Sequence, residues 1–276
     1  MDTTKSDLNP AMVTLDEYSV TSIPLTLLCK GKPIGTATGF FYKSGAHHHL
    51  VSNWHVFSGR NTYTGQANRK DAAVPDALAL VLHGNRLGTY REGLSVPLED
   101  GTGASLWRQH ARGQDVDVAI LPVGKISAEY TIYELPRMRE AADMALKVAM
   151  DAFIIGFPKV ITHQRVFPIW KRASVATEPN FSHDDRPVFL VDAASREGMS
   201  GAPVVLRSFG GYDTAQGGRI AGPGAFTRFV GIYSGRYGAE DELGAQLGRV
   251  WHRAVIDEVI EAGLPGAYEL RARSAQ

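Results

Sequence analysis

The sequence predicts a mainly β fold with one helix near the C-terminus. From Val20 onwards, short runs rich in β-branched and aromatic residues recur, separated by glycine, proline and asparagine. These runs do not alternate with helices as βαβ units require, so the pattern favours barrels or sandwiches. With 276 residues, the chain is long enough to bury one large core or two smaller ones.

The strands are predicted after a polar N-terminal arm that extends to about Asp16. Each predicted strand collects several β-branched or aromatic residues and ends near a turn residue. The predicted strands are residues 23–29, 34–42, 49–52, 77–82, 118–123, 152–155, 166–177, 188–191, 203–206 and 229–234.

Residues 249–263 are the clearest helix candidate, because apolar residues recur there at helical spacing. The apolar stripe consists of Trp251, Val255, Val259 and Ala262, and Gly263 with Pro265 follows it. Residues 136–150 are predicted to be helical or loop-like. Because they lie between two groups of strands, they are expected to connect two packed units.

The overall composition is ordinary for a globular protein, with 44% hydrophobic residues, 21% charged residues and a formal net charge of zero. This balance offers no general electrostatic attraction to nucleic acid or to an anionic membrane, and neither is expected as a partner. No apolar run approaches the length of about 20 residues that spans a bilayer.

The N-terminus and the cysteine content predict a cytoplasmic location. Residues 1–7 lack the basic region and the following apolar stretch of a secretory signal. Cys29 is the only cysteine, so no intrachain disulfide can form. Both features favour a reducing compartment.

Ser200 is the candidate nucleophile. It lies in the segment Gly198-Met199-Ser200-Gly201, directly before an apolar run. Glycine permits the positive φ that folds a chain back and directs successive N–H groups into one small space. A serine held there presents its hydroxyl beside backbone donors, as attack on a carbonyl requires. The alternative interpretation is an ordinary Gly-Ser turn before a strand.

Two further segments carry the residue types that activate a serine. His55 follows a strand-like run, and imidazole titrates near neutral pH, so it can take up and return a proton. Asp117 stands before the apolar run 118–121 and would orient that imidazole. Asp115 has the same strand parity, so spacing alone does not separate the two. We choose Asp117 and interpret Asp115 as a solvated loop carboxylate.

Taken together, four segments resemble the trypsin-like (chymotrypsin-fold) serine peptidases, nearest to the bacterial HtrA-type branch. The chain order His, Asp, Ser is also that of chymotrypsin. The resemblance covers roughly residues 21–235 and does not extend to a PDZ domain. The matching segments are residues 37–41 (ATGFF), 53–56 (NWHV), 117–121 (DVAIL) and 198–203 (GMSGAP).

The resemblance implies two six-stranded antiparallel β-barrels, with the site between them and a C-terminal helix on the second barrel. The expected division is an arm at 1–16, an N-terminal barrel at 17–135 with His55 and Asp117, a C-terminal barrel at 136–248 with Ser200, and a helix and tail at 249–276. The N–H groups of Gly198 and Ser200 are expected to form the oxyanion hole. No cofactor or metal is expected.

By the same resemblance, Ala194 lies at the base of the specificity pocket, with Ser195 beside it. Without a carboxylate at Ala194, a preference for lysine or arginine is not expected, because a buried cation would lack its partner. Tyr233, Ser234 and Gly235 match the strand that forms the pocket wall and pairs with the substrate backbone. The following residue, Arg236, is interpreted as a surface arginine; alternatively, it crosses the pocket entrance and favours an acidic side chain.

Met199 stands where secreted trypsins carry an aspartate that pairs with a newly cut N-terminus. Activation by that ion pair is therefore not expected. The site is either formed constitutively or ordered by a substrate or by an activating protein partner.

Two other features have alternative interpretations. His47 and His49 could chelate a metal from one strand face, but the usual zinc motifs are absent, and we favour a solvated hairpin turn. Residues 208–228 are predicted to form a long Gly-rich loop that gates the site or recognises a protein substrate.

The sequence therefore predicts a serine endopeptidase that cleaves protein or peptide substrates through an acyl-enzyme. One alternative is a low-turnover binding or regulatory module on the same fold. The other is an esterase-type serine hydrolase, because acyl transfer to water uses the same groups. An α/β-hydrolase is disfavoured, since the G-x-S-x-G motif is absent and the order of the three residues differs.

Overall fold

The computed structural model describes residues 15–85, 89–124, 127–137, 139–159, 167–193, 196–236 and 246–267. Residues 1–14 of the predicted arm (1–16) and the pocket residues Ala194 and Ser195 lie outside these described residues. Within them, strands predominate, and the two α-helices are α1 (Trp54–Ser58) and α2 (Ala254–Ala262). Neither of these helices has the length and apolar character that crossing a membrane requires.

A ten-stranded N-terminal sheet forms the first half of the molecule. Its strand order is β16-β6-β7-β3-β2-β1-β4-β5, and β8 and β9 pair with β4 and β2. Its strands are β1 (Ser22–Cys29), β2 (Lys32–Ser44), β3 (His47–Ser52), β4 (Ala77–Gly84), β5 (Tyr90–Pro97), β6 (Arg108–Gln109), β7 (Ala119–Val123), β8 (Tyr130–Thr131), β9 (Glu134–Leu135) and β16 (Leu264–Pro265).

A closed C-terminal barrel forms the second half, with the order β10-β11-β12-β15-β14-β13. It closes because β10 pairs with both β11 and β13. Its strands are β10 (Asp151–Gly156), β11 (Ile169–Val175), β12 (Val188–Asp192), β13 (Pro203–Asp213), β14 (Arg219–Arg236) and β15 (Leu247–His252). The predicted mainly β, double-barrel fold class is confirmed, although the N-terminal sheet has more strands than the six expected.

A shared apolar core joins the two halves. Phe40 from β2 meets Phe229 from β14 edge-on, with ring centroids 5.4 Å apart. Val255 and Val259 from α2 and Trp251 from β15 are buried in the same cluster. Each such buried side chain contributes about 1.5–3 kcal/mol, so burial in this cluster stabilises the contact between the two halves.

The helix prediction for residues 249–263 was wrong in its first part. Residues up to His252 belong to β15, and α2 begins only at Ala254. β15 pairs with β12 on one side and with β14 on the other, which closes the barrel. Cross-strand pairing therefore overrides the local helical pattern. No helix forms in the described part of 136–150, where Met144 and Ala145 are buried.

The segment 208–228 is not a loop. Most of it extends β13 and β14 into a two-stranded ribbon, and the register runs from Ser208↔Phe226 to Asp213↔Arg219. The turn is confined to residues 214–218. The many glycines of residues 208–228 predicted a loop, but in the structure most of them lie in this β-ribbon. The histidine tract likewise lies in β3 and not in the preceding turn.

Candidate active site

His55 is carried by α1, which begins immediately after β3. Two side chains at the start of α1 attach the helix to β6 and to the segment before β7. The amide of Asn53 donates to the backbone carbonyl of Asp117 at 2.8 Å, and the indole N–H of Trp54 donates to Gln109 at 2.7 Å. The helix ends at Gly59, whose φ of 67° is left-handed. The position of the imidazole is therefore determined by β3, α1 and the segment before β7.

Asp117 holds His55 through both carboxylate oxygens. Oδ1 accepts the backbone N–H of His55 at 2.9 Å, and Oδ2 lies 2.8 Å from its Nδ1. The carboxylate is only 2% exposed and the imidazole is 23% exposed. An ionised carboxylate can only accept, so Nδ1 carries the proton and Nε2 of a neutral ring is left as an acceptor.

Asp115 has a different environment. It ends a short 3-10 helix, Gly113–Asp115, and its side chain is 45% exposed. Its carboxylate lies 3.7 Å from the guanidinium of Arg186. Of the two aspartates that the sequence left open, Asp117 is the one that contacts His55.

Ser200 lies in a tight turn held against β2 and β3. The N–H of Thr38 donates to the carbonyl of Ser200 at 2.9 Å, and the Thr38 hydroxyl donates to the carbonyl of Gly198 at 2.8 Å. Gly201 has a φ of +83°, and a Cβ there would collide with the Thr38 carbonyl and the Ser52 hydroxyl. Because Ser52 lies three residues before His55, the glycine brings the serine turn close to the helix that carries the histidine.

The hydroxyl of Ser200 is partly exposed and faces β14. A Cβ added at Gly235 would lie 3.9 Å from Ser200 Oγ. Among the described residues, no hydrogen bond joins Ser200 Oγ to His55. Nucleophile–base contacts are commonly long in enzymes without substrate and shorten in the bound complex.

The backbone around Ser200 has the form of an anion-binding turn. Gly198 has a φ of +95°, and any side chain there would collide with the backbone of Phe157 and Lys159. The N–H groups of Gly198 and Ser200 donate to no acceptor within the described part of the chain. Two neighbouring backbone donors beside a nucleophile are the components of an oxyanion hole.

Tyr233, Ser234 and Gly235, which were predicted to form the wall of the specificity pocket, have three different environments. The ring of Tyr233 is fully buried in the barrel core, and its backbone N–H and carbonyl bond to Ala202 and Gly201. It therefore supports the serine turn, and its part in the pocket wall stays a prediction. Ser234 is buried and accepts the indole N–H of Trp251 at 3.0 Å. Gly235, with a φ of +94°, faces Ser200.

Met199 is buried in the core of the C-terminal barrel. Its sulfur would lie 3.2 Å from a Cβ at Gly156, so it fills the space beneath the serine turn.

Arg236 is exposed at the end of β14. Sequence reasoning did not identify Thr38, Ser52 and Asn53 as positioning residues, although all three lie in or beside the quoted motifs.

The histidine tract is the alternative candidate for a metal site. No group of three or more His, Cys, Asp or Glu side chains suited to a metal ion occurs in the described ranges. His49 is buried, and burial lowers its pKa, with further lowering by His47 and His48. His48 lies 3.6 Å from Glu134 on β9.

Residues 37–210 match the family described as "Trypsin-like peptidase domain". This match covers more than half of the chain, and the chain belongs to that family. No curated protein sequence matches. The matched segment includes His55, Asp117 and Ser200, and ends within the ribbon of β13 and β14.

Three of the solved structures that are similar to this chain are proteases by their descriptions. A thermostable serine protease AL20 from an extremophilic microorganism is 10% identical, with coverage of 88% and 97% of the two chains and a TM-score of 0.50. The Rv3671c protease of M. tuberculosis in its active form is 15% identical, with coverage of 94% and 89% and a TM-score of 0.48. A serine endoprotease from Yersinia pestis is 12% identical, with a TM-score of 0.48. The match covers 90% of this chain and 66% of the Yersinia pestis chain.

Proposed function

We propose that the protein is a serine endopeptidase in which Ser200, His55 and Asp117 act together. The observation that carries this proposal is the pair of bonds between His55 and Asp117, at 2.8 and 2.9 Å. The buried carboxylate serves no other side chain among the described residues. Its arrangement suits a group that orients an imidazole beside a serine.

In the proposed reaction, Ser200 Oγ attacks the carbonyl carbon of the scissile peptide bond and transfers its proton to His55 Nε2. Asp117 stabilises the resulting imidazolium. The N–H groups of Gly198 and Ser200 bind the oxyanion, each contributing about 2.7–4 kcal/mol. The intermediate collapses to an acyl-enzyme, and His55 gives the proton to the leaving amine. Water then hydrolyses the ester by the same steps, which regenerates the Ser200 hydroxyl.

The substrate is proposed to be a protein or peptide that pairs with the backbone of β14 at Ser234–Arg236. This stretch forms a bulge, because the register between β14 and β15 shifts between Tyr233 and Arg236. Ladder groups left unpaired by a bulge are available to an added strand. The division at residue 136, between the half with His55 and the half with Ser200, remains part of the proposal.

The proposed chemistry uses no cofactor or metal, and the neutral net charge gives no reason to invoke nucleic acid or membrane as a partner. Cys29 as the only cysteine supports a reducing, cytoplasmic setting. With Met199 buried where an activating aspartate would stand, the site is proposed to form without a new N-terminus.

Labelling of purified protein by a serine-directed phosphonate tests the proposal. We expect the wild type to be labelled and Ser200→Ala to be unlabelled, with an unchanged unfolding midpoint. Ser182→Ala is the matched control, because Ser182 is exposed and lies outside the site. Equal labelling of the wild type and Ser200→Ala would contradict the assignment.

In the described part of the chain, no hydrogen bond joins the Ser200 hydroxyl to His55, and this favours one second candidate, a low-turnover binding module on the same fold. Peptide turnover separates the two functions, because the module would bind peptides without releasing products. An esterase would be recognised by turnover of acyl esters with no cleavage of peptides.

A further inference from the structure

Tyr63 lies between two arginines where the N-terminal sheet meets the C-terminal barrel. The guanidinium carbon of Arg186 lies 4.8 Å from the centre of the tyrosine ring, and that of Arg249 lies 4.9 Å from it. The Arg249 guanidinium also donates to the Tyr63 hydroxyl. We refer to Tyr63, Arg186 and Arg249 as the arginine–tyrosine cluster.

The charge of this cluster is incompletely balanced. Arg249 is only 7% exposed, its Nε is buried without a hydrogen-bond partner, and it forms no ion pair within the described ranges. The carboxylate of Asp115 lies 3.7 Å from Arg186 and is 45% exposed. This carboxylate is paired with Arg186, and no described carboxylate is paired with Arg249. A buried cation without an anionic partner is costly, so the cluster is expected to attract an anion.

The cluster adjoins the candidate active site. In β15, Val250 pairs with Tyr233 and Gly248 with Arg236, so Arg249 lies opposite the bulge at Ser234–Gly235. Trp251, on the same face of β15 as Arg249, donates its indole N–H to Ser234. Gly235 in turn faces the hydroxyl of Ser200.

The N-terminal half contributes Tyr63 to the cluster and a carboxylate beside it. Tyr63 follows α1, the helix that carries His55, and Asp115, which pairs with Arg186, lies two residues before Asp117. The cluster therefore adjoins the segments that carry His55 and Asp117.

We propose that the arginine–tyrosine cluster is a subsite for an acidic side chain of the peptide substrate, near the scissile bond and on the side that pairs with Ser234–Arg236. This inference rests on the proposed function. A guanidinium presents paired donors that match the two oxygens of a carboxylate. The ring of Tyr63, which is 43% exposed, forms the wall of the subsite. The absence of a side chain at Gly235 leaves the approach from Ser200 open.

Matched peptides that differ only in glutamate or glutamine test the subsite. We expect the wild type to prefer glutamate about 10- to 100-fold in kcat/KM at one position, as a charged hydrogen bond commonly contributes. Arg249→Met keeps the apolar stem of the side chain and should reduce this ratio to about one. Arg186→Gln, at a less buried position, should also reduce it if Arg249→Met fails to fold. Arg172→Gln is the matched control, an exposed arginine paired with Asp151.

Binding to the Ser200→Ala variant separates this inference from the proposed function. Fluorescence anisotropy with the same peptides should give about 10-fold tighter binding of the glutamate peptide. Cleavage without any preference for glutamate overturns the subsite and leaves the peptidase proposal intact. Selective binding of the glutamate peptide to a wild type that neither cleaves nor labels supports the subsite and overturns the peptidase proposal.

The same assay tests two alternative occupants of the cluster, a small free carboxylate and the chain's own acidic residues. Acetate titrated to high concentration should compete with the glutamate peptide and leave cleavage of the glutamine peptide unchanged. The sequence also carries Glu240, Asp241 and Glu242, which lie outside the described residues. A variant with all three changed to amides should keep the preference of the wild type. If the preference appears only in that variant, the chain's own carboxylates occupy the cluster and the substrate proposal is overturned.

Discussion

Asp117→Asn tests the role of the buried carboxylate with the smallest change of shape. In the wild type, one oxygen accepts the backbone N–H of His55 and the other lies 2.8 Å from Nδ1 of the ring. Asparagine offers one acceptor and one donor at the same two places. Because a backbone N–H can only donate, the amide oxygen must face it, and the amide NH₂ then faces Nδ1.

This exchange reverses the tautomer of His55. An NH₂ group opposite Nδ1 requires Nδ1 to accept, so the ring proton moves to Nε2. Nε2 is the atom that should take the proton of Ser200, and it is then already protonated. We expect kcat to fall about 10⁴-fold, which corresponds to about 5 kcal/mol in the activation free energy.

Initial rates on fluorogenic peptides at pH 7, together with the rate of phosphonate labelling, measure the effect. Asp151→Asn is the matched control, because Asp151 is a surface carboxylate paired with Arg172. A loss of less than tenfold in Asp117→Asn would refute the tautomer argument. A 10⁴-fold loss in Asp115→Asn would show that the wrong aspartate was chosen.

Three further changes have expected outcomes for stability, each measured by urea unfolding. An alanine in left-handed backbone lowers the free energy of unfolding by about 1–2 kcal/mol. Gly201→Ala should lower it by more than this, because the added Cβ collides with β2 and β3. Gly210→Ala should lower it by that amount only, because its Cβ would enter open space. Ser234→Ala should cost about 1–3 kcal/mol, because it leaves the buried indole N–H of Trp251 without an acceptor. Burial lowers the pKa of His83, so the unfolded chain binds a proton more readily, and stability should fall as the pH drops below about 6.5. His83→Phe should lose less stability than the wild type between pH 7 and pH 5.

A specific result would contradict each of these three predictions. Equal costs for Gly201→Ala and Gly210→Ala would mean that the serine turn can move away from β2. An unchanged unfolding free energy in Ser234→Ala would mean that the indole finds another acceptor. Parallel pH profiles for the wild type and His83→Phe would mean that another group dominates the loss of stability in acid.

The sequence was sufficient to predict the fold class and the family, because both depend on patterns that lie close together along the chain. Short runs rich in β-branched and aromatic residues predict strands, and glycines on both sides of Ser200 indicate a turn with left-handed backbone. These are properties of a few neighbouring residues, and the surrounding fold agrees with them. His55, Asp117 and Ser200 were selected in the same way, and their shared catalytic role stays a prediction.

Tertiary structure alone decided the features that depend on distant residues. Residues 249–252 have an apolar spacing that suits a helix, yet they form a strand because β12 and β14 both pair with them. Asp115 and Asp117 are equivalent by spacing, and only the start of α1 distinguishes them by bringing His55 to Asp117. The arginine–tyrosine cluster joins residues 63, 186 and 249, whose separation in the chain leaves no local signal. Local propensity acts over a few residues, whereas pairing, burial and charge depend on which distant segments the fold brings together.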